Sequence, residues 1–493
     1  MQLKEWFKDI PYQLIQGDME QAASEVVFDS RKAAPGSIFV CMCGTKVDSH
    51  DFIPDVIAAG TKVLVTERKV KVPEDVTVIS VDNARAALAR LSAARFDYPA
   101  KKMLMIGVTG TKGKTTTTHM LKTIMEQAGK KTGMIGTNGV TIGDEHYPTV
   151  NTTPESYDLH RYFARMAEAG CECCVMEVSS QAFKMHRVDG IMYDYALFTN
   201  ISPDHIGPDE HDSFEEYLDC KRMIFDQCRY ALINQDDDHF EEIINGISCE
   251  WSGFSLRQEA RFMAEHIRYV SEPDFVGLEF NIVEGTGANR LPLRVSLPGK
   301  FNVYNALAAA AVALCEHVPA DKIRQALQHL RIDGRMEIVY SCEKFCVIVD
   351  YAHNAVSMES LLETLREYHP KRLVCIFGCG GNRSKDRRYA MGTIAGKMAD
   401  LSIITADNSR FEKVEDIMAD IRGSIEKTGG TFVEIPDRRA AIQYSIHQAQ
   451  PGDMIAVIGK GHEDYQEIDG VRYPFLDRSV VAETIANWKE QGN

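Results

Sequence analysis

The sequence predicts an α/β protein of three domains, each a mixed or mainly parallel sheet covered by helices. Three observations predict it. Short apolar runs alternate with helical patterns along the chain, many of those runs end in Asp, Gly or Asn, and 493 residues exceed what one hydrophobic core organises. The first ~100 residues carry "GSIFVCM" and "KVLVTE" with turn signals between them, the pattern of a small mixed unit. Polar "FDYPAKK" (Phe96–Lys102) reads as a linker and sets a first domain at 1–98. A second domain, 99–332, contains "MLMIGV", "CCVMEV", "YALFTN" and "YALINQ". A third, 333–493, repeats the theme with "FCVIVD", "RLVCIFG", "LSIITAD" and "DMIAVIG". Polar groups at the carboxyl ends of such strands lie where α/β sheets bind ligands.

Composition excludes several classes. With 44% hydrophobic and 26% charged residues the chain reads as soluble and globular. A net charge of −16 repels polyanions, so nucleic acid is not an expected partner. "MQLKEWFKDI" lacks the apolar core of a signal peptide, and the longest apolar run, Ala306–Cys315, falls short of the roughly 20 residues a bilayer requires. No transmembrane segment and a cytoplasmic location are expected. Thirteen irregularly spaced cysteines argue for reduced thiols, and "CECC" (Cys171–Cys174) reads as a buried strand rather than a metal site.

The most informative stretch is "GVTGTKGKTTTTHM" (Gly107–Met120). An apolar run leads into it. Beyond it Met120, Leu121, Ile124, Met125 and Ala128 follow helical spacing, with Gly129 as the stop. Strand, glycine loop and helix in this order cradle phosphate. Backbone N–H groups of Gly110, Thr111, Lys112, Gly113, Thr115 and Thr116 face an anion, Lys114 reaches terminal phosphates and Thr115 a magnesium ion. The standard loop leaves four residues between its first glycine and Gly-Lys, whereas here Gly107 leaves five and Gly110 two. A glycine-rich turn with a chance Lys-Thr is the plainer alternative.

"GxxGTxGKT" resembles the Mur ligase family, the ATP-dependent amino-acid ligases of peptidoglycan synthesis. "FDSRKAAPGSIFVCMCG", "NTTPE", "MEVSSQA", "HRV", "FTNISPDH", "GKFNVYNALAA", "GRME", "VDYAH", "FGCGGNRSKDRR", "DNSR" and "GKGHEDYQ" are similar, in order, to the blocks of its MurE type. The resemblance implies a central P-loop-type ATPase domain, a Rossmann-like C-terminal domain and a UDP-sugar-binding first domain. It also implies a reaction: a D-glutamate carboxylate of a UDP-N-acetylmuramoyl dipeptide takes the γ-phosphoryl of ATP, and the amine of a diamino acid attacks the acyl phosphate. Domain closure would then exclude water from that intermediate.

Roles follow from the resemblance residue by residue. Glu177 and His205 match magnesium-associated positions, and Lys221 matches a lysine carbamoylated by CO2, which would turn a repelled ammonium into an anionic oxygen ligand. Asn302 and Arg335 map to the adenine nucleotide, Asp350 and His353 to its ribose and phosphate side. As a residue alone, Asn302 reads equally well as an N-cap. Ser30, Thr45, Lys46 and Val47 map to the UDP-sugar, and Asn151, Thr152, Thr153, Ser179, Arg187 and carbamoylated Lys221 to the muramoyl dipeptide. Arg383, Asp407, Asn408, Ser409, Arg410, Gly459 and Glu463 map to the incoming amino acid. Arg410 can clasp the distal carboxylate of meso-2,6-diaminopimelate, where lysine's ammonium would be repelled. A surface ion pair with Glu412 or Asp416 is the bland alternative. Ser409 stands where the family has proline, which leaves the loop free to be mobile or reshaped, and Asn382 where it has an acid.

Competing readings are the same reaction with L-lysine or another diamine, a folylpolyglutamate synthase or different Mur ligase, and a P-loop regulatory protein with an inactive ligase site. The last would have lost Glu177, His205 and Lys221, and all three stand. A small-molecule kinase would not need the acyl-acceptor residues. A monomer is expected.

Overall fold

The computed structural model describes residues 1–44, 47–204, 206–207, 210–285, 287 and 290–490. Thr45, Lys46 and His205, expected at ligand positions, lie outside the described residues. By compactness the chain forms two units: Met1–Phe262 with Ala308–Pro319, and Met263–Leu307 with Ala320–Asn493.

The first unit holds two sheets. One orders Gln13–Gln16, Thr77–Ser80, Val63–Thr66, Ser37–Val40 and Glu25–Val27, parallel throughout except for its first pair. In the other, Glu250–Ser255, Cys228–Asn234, Tyr193–Phe198, Leu104–Thr109, Cys173–Glu177 and Thr132–Gly136 run parallel, and the short strands Gly139–Ile142 and Glu145–Tyr147 follow antiparallel. All of Cys173–Glu177 is buried, as a strand covered on both faces must be. Helix Lys114–Gln127 turns Met120, Leu121, Ile124 and Met125 inward, and Ala128 and Gly129 (φ +90°) end it as the spacing anticipated. Cys171, Cys173 and Cys174 are core residues.

The second unit is built on Glu337–Ser341, Phe345–Asp350, Asp453–Ile458, Arg372–Phe377, Leu401–Ile404 and Phe432–Glu434, parallel except for the first pair. An antiparallel pair, Phe275–Glu284 with Arg290–Val295, and a hairpin, Tyr465–Ile468 with Val471–Pro474, add to it. The antiparallel pair agrees with the expectation of mixed or mainly parallel sheets. The alanine-rich run forms part of helix Phe301–Cys315, with Ala306–Ala313 wholly buried. Among the described residues no helix is long and apolar enough to cross a membrane.

One buried group is out of keeping with its surroundings. His160, in helix Ser156–Glu168, is 1% exposed and packs edge-on against Phe163, and neither ring nitrogen meets a hydrogen-bond partner among the described residues. Burial alone drives its pKa down to about 3. The unfolded chain therefore takes up a proton below about 6.5 that the folded chain refuses, so this stabilisation is complete above that pH and drains away toward 3. Urea titrations at pH 7 and pH 5 should show the wild type losing about 2 kcal/mol more than His160→Leu. Equal losses in the two proteins would mean that His160 protonates freely in the folded state.

Candidate functional site

In the first unit the phosphate loop joins strand Leu104–Thr109 to helix Lys114–Gln127. Gly110 adopts φ +140°, and a Cβ there would lie 2.1 Å from Thr199 Oγ1, so only glycine lets the end of strand Tyr193–Phe198 come this close. Thr199 and Asn200, just beyond that strand, clamp the loop. The Asn200 carbonyl accepts from Thr111 N (2.9 Å) and its side-chain oxygen from Lys112 N (2.9 Å), while Thr199 Oγ1 donates to Lys112 O (2.7 Å). The sequence reading quoted "FTN" as a block but gave these two residues no role. A polar pair following a buried strand was the available signal.

Two ammonium groups meet over this loop. Lys114 Nζ donates to Gly110 O (2.8 Å) and Thr111 O (3.0 Å), and Lys221 Nζ donates to the same Gly110 O at 2.8 Å. Lys221 sits near the end of helix Phe214–Arg222, is 1% exposed and lies 4.6 Å from the Tyr217 ring centroid. Burial, and then the neighbouring Lys114, holds its pKa well below the usual lysine range, with Asp204 pulling the other way. Burial also lowers the pKa of half-buried Lys114, against Glu177 and Asp204.

Glu177 ends strand Cys173–Glu177 and is buried. Its Oε1 accepts from Thr115 Oγ1 and Thr137 N, both at 2.9 Å, and its Oε2 from Thr137 Oγ1 at 3.1 Å. A Cβ on Gly136 would lie 2.3 Å from Glu177 Oε1, so the neighbouring strand must end in glycine here. Thr137, unnoticed in the sequence, links this group to the next through Thr152 (Oγ1–Oγ1 3.2 Å). Thr153 Oγ1 donates to Glu177 O (3.0 Å) and accepts from Ser179 N (3.1 Å), and Ser179 Oγ caps its helix at Ala182 N (3.2 Å). Arg187 donates to Glu155 (2.8 Å) and Thr153 O (3.3 Å). Lys114, Thr115, Glu177 and Lys221 thus form one cluster, and Thr152, Thr153, Ser179 and Arg187 adjoin it. Asn151 precedes them, half-buried. Thr116 is the third residue of the loop's helix.

Ser30 belongs to the other sheet of this unit, in the short 3-10 helix Ser30–Lys32. Asp29 caps that helix and binds Arg31 through both carboxylate oxygens (2.9 and 2.8 Å), which draws its pKa down to about 2. Val47 is exposed, its carbonyl accepting from Gly44 N at 2.9 Å.

In the second unit, Asp350, His353, Arg383, Asp407 to Arg410, Gly459 and Glu463 lie at or beyond the carboxyl ends of adjacent parallel strands, whereas Arg335 precedes strand Glu337–Ser341 and Asn302 lies on helix Phe301–Cys315. Asp350 is buried and accepts from Met336 N and Ala352 N, both at 2.7 Å, and burial raises its pKa against those donors. His353 Nδ1 lies 2.9 Å from Tyr351 O, and the Arg335 guanidinium lies over the Tyr351 ring. Asn302 is no N-cap. The helix begins at Phe301, and the Asn302 amide donates back to Pro298 O (2.6 Å) while accepting from Asn305 (2.9 Å).

The loop Asp407–Arg410 is tightly held. Asp407, Asn408 and Ser409 are buried, so the absent proline leaves neither an exposed nor a loose segment. Asn408 donates to Glu463 (3.0 Å) and accepts from Lys460 Nζ (3.1 Å) and Glu467 N (2.9 Å). Lys460, 0% exposed and overlooked in the sequence, also reaches Glu463 (3.2 Å). On the same loop as Glu463, Gly459 takes φ +115°, and a Cβ there would lie 2.9 Å from Asp407 Oδ2. The surface ion pair of Arg410 with Glu412 or Asp416, the bland alternative, does not form. Glu412 is taken by buried Arg388 (2.8 Å), and Arg410 instead lies 3.6 Å from Glu467 and donates to Gly381 O at 2.8 Å. Gly380 separates the Arg410 guanidinium from Arg383, which is exposed.

Comparison with known proteins agrees with this arrangement. Residues 23–96 match the model described as Mur ligase family, catalytic domain, 108–313 the Mur ligase middle domain, and 334–461 the Mur ligase, glutamate ligase domain. The chain is 38% identical over 489 residues to the UDP-N-acetylmuramoyl-L-alanyl-D-glutamate--2,6-diaminopimelate ligase of Clostridium perfringens (98% of this chain, 99% of that one). It is 39% identical over 487 residues to the protein of the same name from Caldanaerobacter subterraneus (99% of each). A solved structure of a ligase with that name superposes with a TM-score of 0.79 at 29% identity, covering 99% of both chains. MurF from Acinetobacter baumannii shares the fold, with a TM-score of 0.58 at 20% identity over 94% of this chain and 96% of that one. With three family models in register and relatives aligned almost end to end, the chain belongs to the Mur ligase family.

Proposed function

We infer that this chain is a MurE-type, ATP-dependent amide ligase of peptidoglycan precursor synthesis. It joins the third amino acid, meso-2,6-diaminopimelate, to UDP-N-acetylmuramoyl-L-alanyl-D-glutamate through an acyl phosphate. The observation that carries this reading is the near full-length alignment with ligases of that name, at 38 and 39% identity. In this reading residues 1–98 hold the UDP-sugar, 99–332 the ATP and 333–493 the amino acid, and the enzyme acts as a cytoplasmic monomer.

The chemistry asks for charge neutralisation and positioning. Lys114 and the N–H groups at the start of helix Lys114–Gln127 would receive the terminal phosphates. Lys221, donating to the same carbonyl as Lys114, would bring a second amine beside the phosphates. Magnesium fits the donor set, because Thr115 and Glu177 offer adjoining hard oxygen atoms at the helix start and a carboxylate keeps lone pairs beyond the three donors it now has. When bound, the ion would offset phosphate charge as it develops. His205 would complete this set. Thr152, Thr153, Ser179 and Arg187 would orient the muramoyl dipeptide so that its glutamate carboxylate faces the γ-phosphoryl. Asn302, Arg335, Asp350 and His353 would serve the nucleotide.

Carbamoylation of Lys221 is supported by its environment. Burial disfavours the ammonium form of Lys221 and so favours the free amine that attacks CO2, and the resulting anion relieves the repulsion from Lys114. In carbon-13 NMR with labelled bicarbonate, the wild type should show a carbamate resonance that Lys221→Arg lacks. That variant's turnover should fall roughly a hundredfold or more. A wild type without the resonance, or an arginine variant at full rate, would remove the carbamate from the reading.

Diaminopimelate is favoured by Arg410 and Arg383 flanking Gly380. Arg410 spends one N–H group on Gly381 O and retains others for a carboxylate. With ATP, magnesium and the UDP-muramoyl dipeptide, phosphate release should require a diamino acid and run fastest with diaminopimelate. Arg410→Ala should raise the KM for diaminopimelate about tenfold to a hundredfold and narrow its advantage over lysine. If the alanine variant kept the full preference, the clasp would be wrong.

A further inference from the structure

We propose that Cys228 and Cys249 form a reactive dithiol, a modification site at which a peroxide drives formation of a reversible disulfide. Cys228 opens strand Cys228–Asn234 and is buried, whereas Cys249 directly precedes the neighbouring parallel strand Glu250–Ser255 and is partly open to solvent. Their sulfur atoms lie 3.3 Å apart, with the Cys228 thiol donating to Cys249 Sγ. None of the thirteen cysteines is in a disulfide.

The asymmetry of the pair assigns the roles. Cys249 is the sulfur that solvent reaches, and although burial raises its pKa, the hydrogen bond from the Cys228 thiol favours its thiolate. The Cys249 thiolate attacks one peroxide oxygen, the O–O bond breaks, and after proton uptake a sulfenic acid and water result. The Cys228 sulfur then attacks Cys249 Sγ and displaces the sulfenic oxygen as a second water. Two thiols and one hydrogen peroxide thus become one disulfide and two waters. Burial raises both thiols above the usual range, so the reaction quickens as pH rises.

The crosslink would close a loop between residues 21 apart in sequence, directly after the segment that bears Lys221. That segment is already tied to the same loop, because the Arg222 guanidinium donates to the carbonyls of Ile243 (3.3 Å) and Asn245. Oxidation would therefore add a covalent staple to an existing contact, stabilising the fold chiefly by restricting the unfolded chain.

The full-length protein, treated with a small excess of hydrogen peroxide and digested without reductant, should yield a linked peptide containing Cys228 and Cys249, lighter by two hydrogens than the sum of its parts. Its melting temperature should rise by several degrees, and dithiothreitol should reverse both changes. Cys249→Ser should form no link and show no rise. Cys228→Ser should leave a sulfenic acid on Cys249 that dimedone traps. Peroxide that oxidises other cysteines while this pair stays reduced would overturn the proposal, as would equal melting of oxidised wild type and Cys249→Ser.

Discussion

Two lysine ammonium groups share one carbonyl oxygen, that of Gly110, and much of the first unit is arranged around this shortage of negative charge. At ordinary protonation the arrangement is costly, because two like charges within a few ångströms in a poorly solvated place repel strongly. A fold seeking stability alone would place a carboxylate between them. Here the nearest buried carboxylate, Glu177, is instead turned to Thr115 and Thr137 by three hydrogen bonds. Glu177 and Asp204 act on these lysines through space, while the two amines still crowd one carbonyl. The phosphates of a nucleotide and the carboxylate of a substrate have the right sign, and a carbamate on Lys221 would redistribute the charge further.

The second unit solves the opposite problem, that of keeping buried cations quiet. Arg438 and Asp477 are both wholly buried and pair through two hydrogen bonds (2.8 and 2.7 Å). The same guanidinium donates to Ala406 O (3.3 Å) and Ile458 O (2.9 Å), the residues that precede Asp407 and Gly459. Burial opposes its charge, but Asp477 more than compensates. Loss of either partner would strand a charge in the core, at a cost of about 3–5 kcal/mol. This pair fixes the starting points of two candidate amino-acid loops, while Lys460 and Arg388 fix their far ends. Arg410 and Arg383 are thereby left as the cations with capacity for a ligand.

Much of this was legible in the sequence. Buried strands announced themselves as unbroken apolar runs, and Lys114, Thr115, Glu177 and Lys221, scattered over more than a hundred positions, gather in one cluster. What escaped notice shares a cause. Thr199, Asn200, Thr137, Lys460 and the Arg438–Asp477 pair act through partners distant in sequence and show no local periodicity. Arg438 and Asp477 each stand first in a helix, where a charged residue draws no notice. Arg410 escapes the surface pair that its neighbours in sequence offer. Glu412 is its neighbour in sequence, but Arg410 takes φ +52° and its side chain turns away, which leaves Glu412 to Arg388.

The displaced glycine of the phosphate loop now has a physical reason. In the standard spacing the first glycine serves the turn around the phosphate. Here Gly110 lies closer to the lysine, and its φ of +140° together with the lack of a Cβ admits Thr199 and Asn200 against the loop. Those contacts immobilise Thr111 and Lys112 and turn the Gly110 carbonyl toward both ammonium groups. Any larger residue would push the end of strand Tyr193–Phe198 away, and the loop would lose its clamp together with the acceptor that Lys221 requires. The altered spacing is thus a condition for a second lysine at the phosphate site, which sets this loop apart from one built to hold a nucleotide alone.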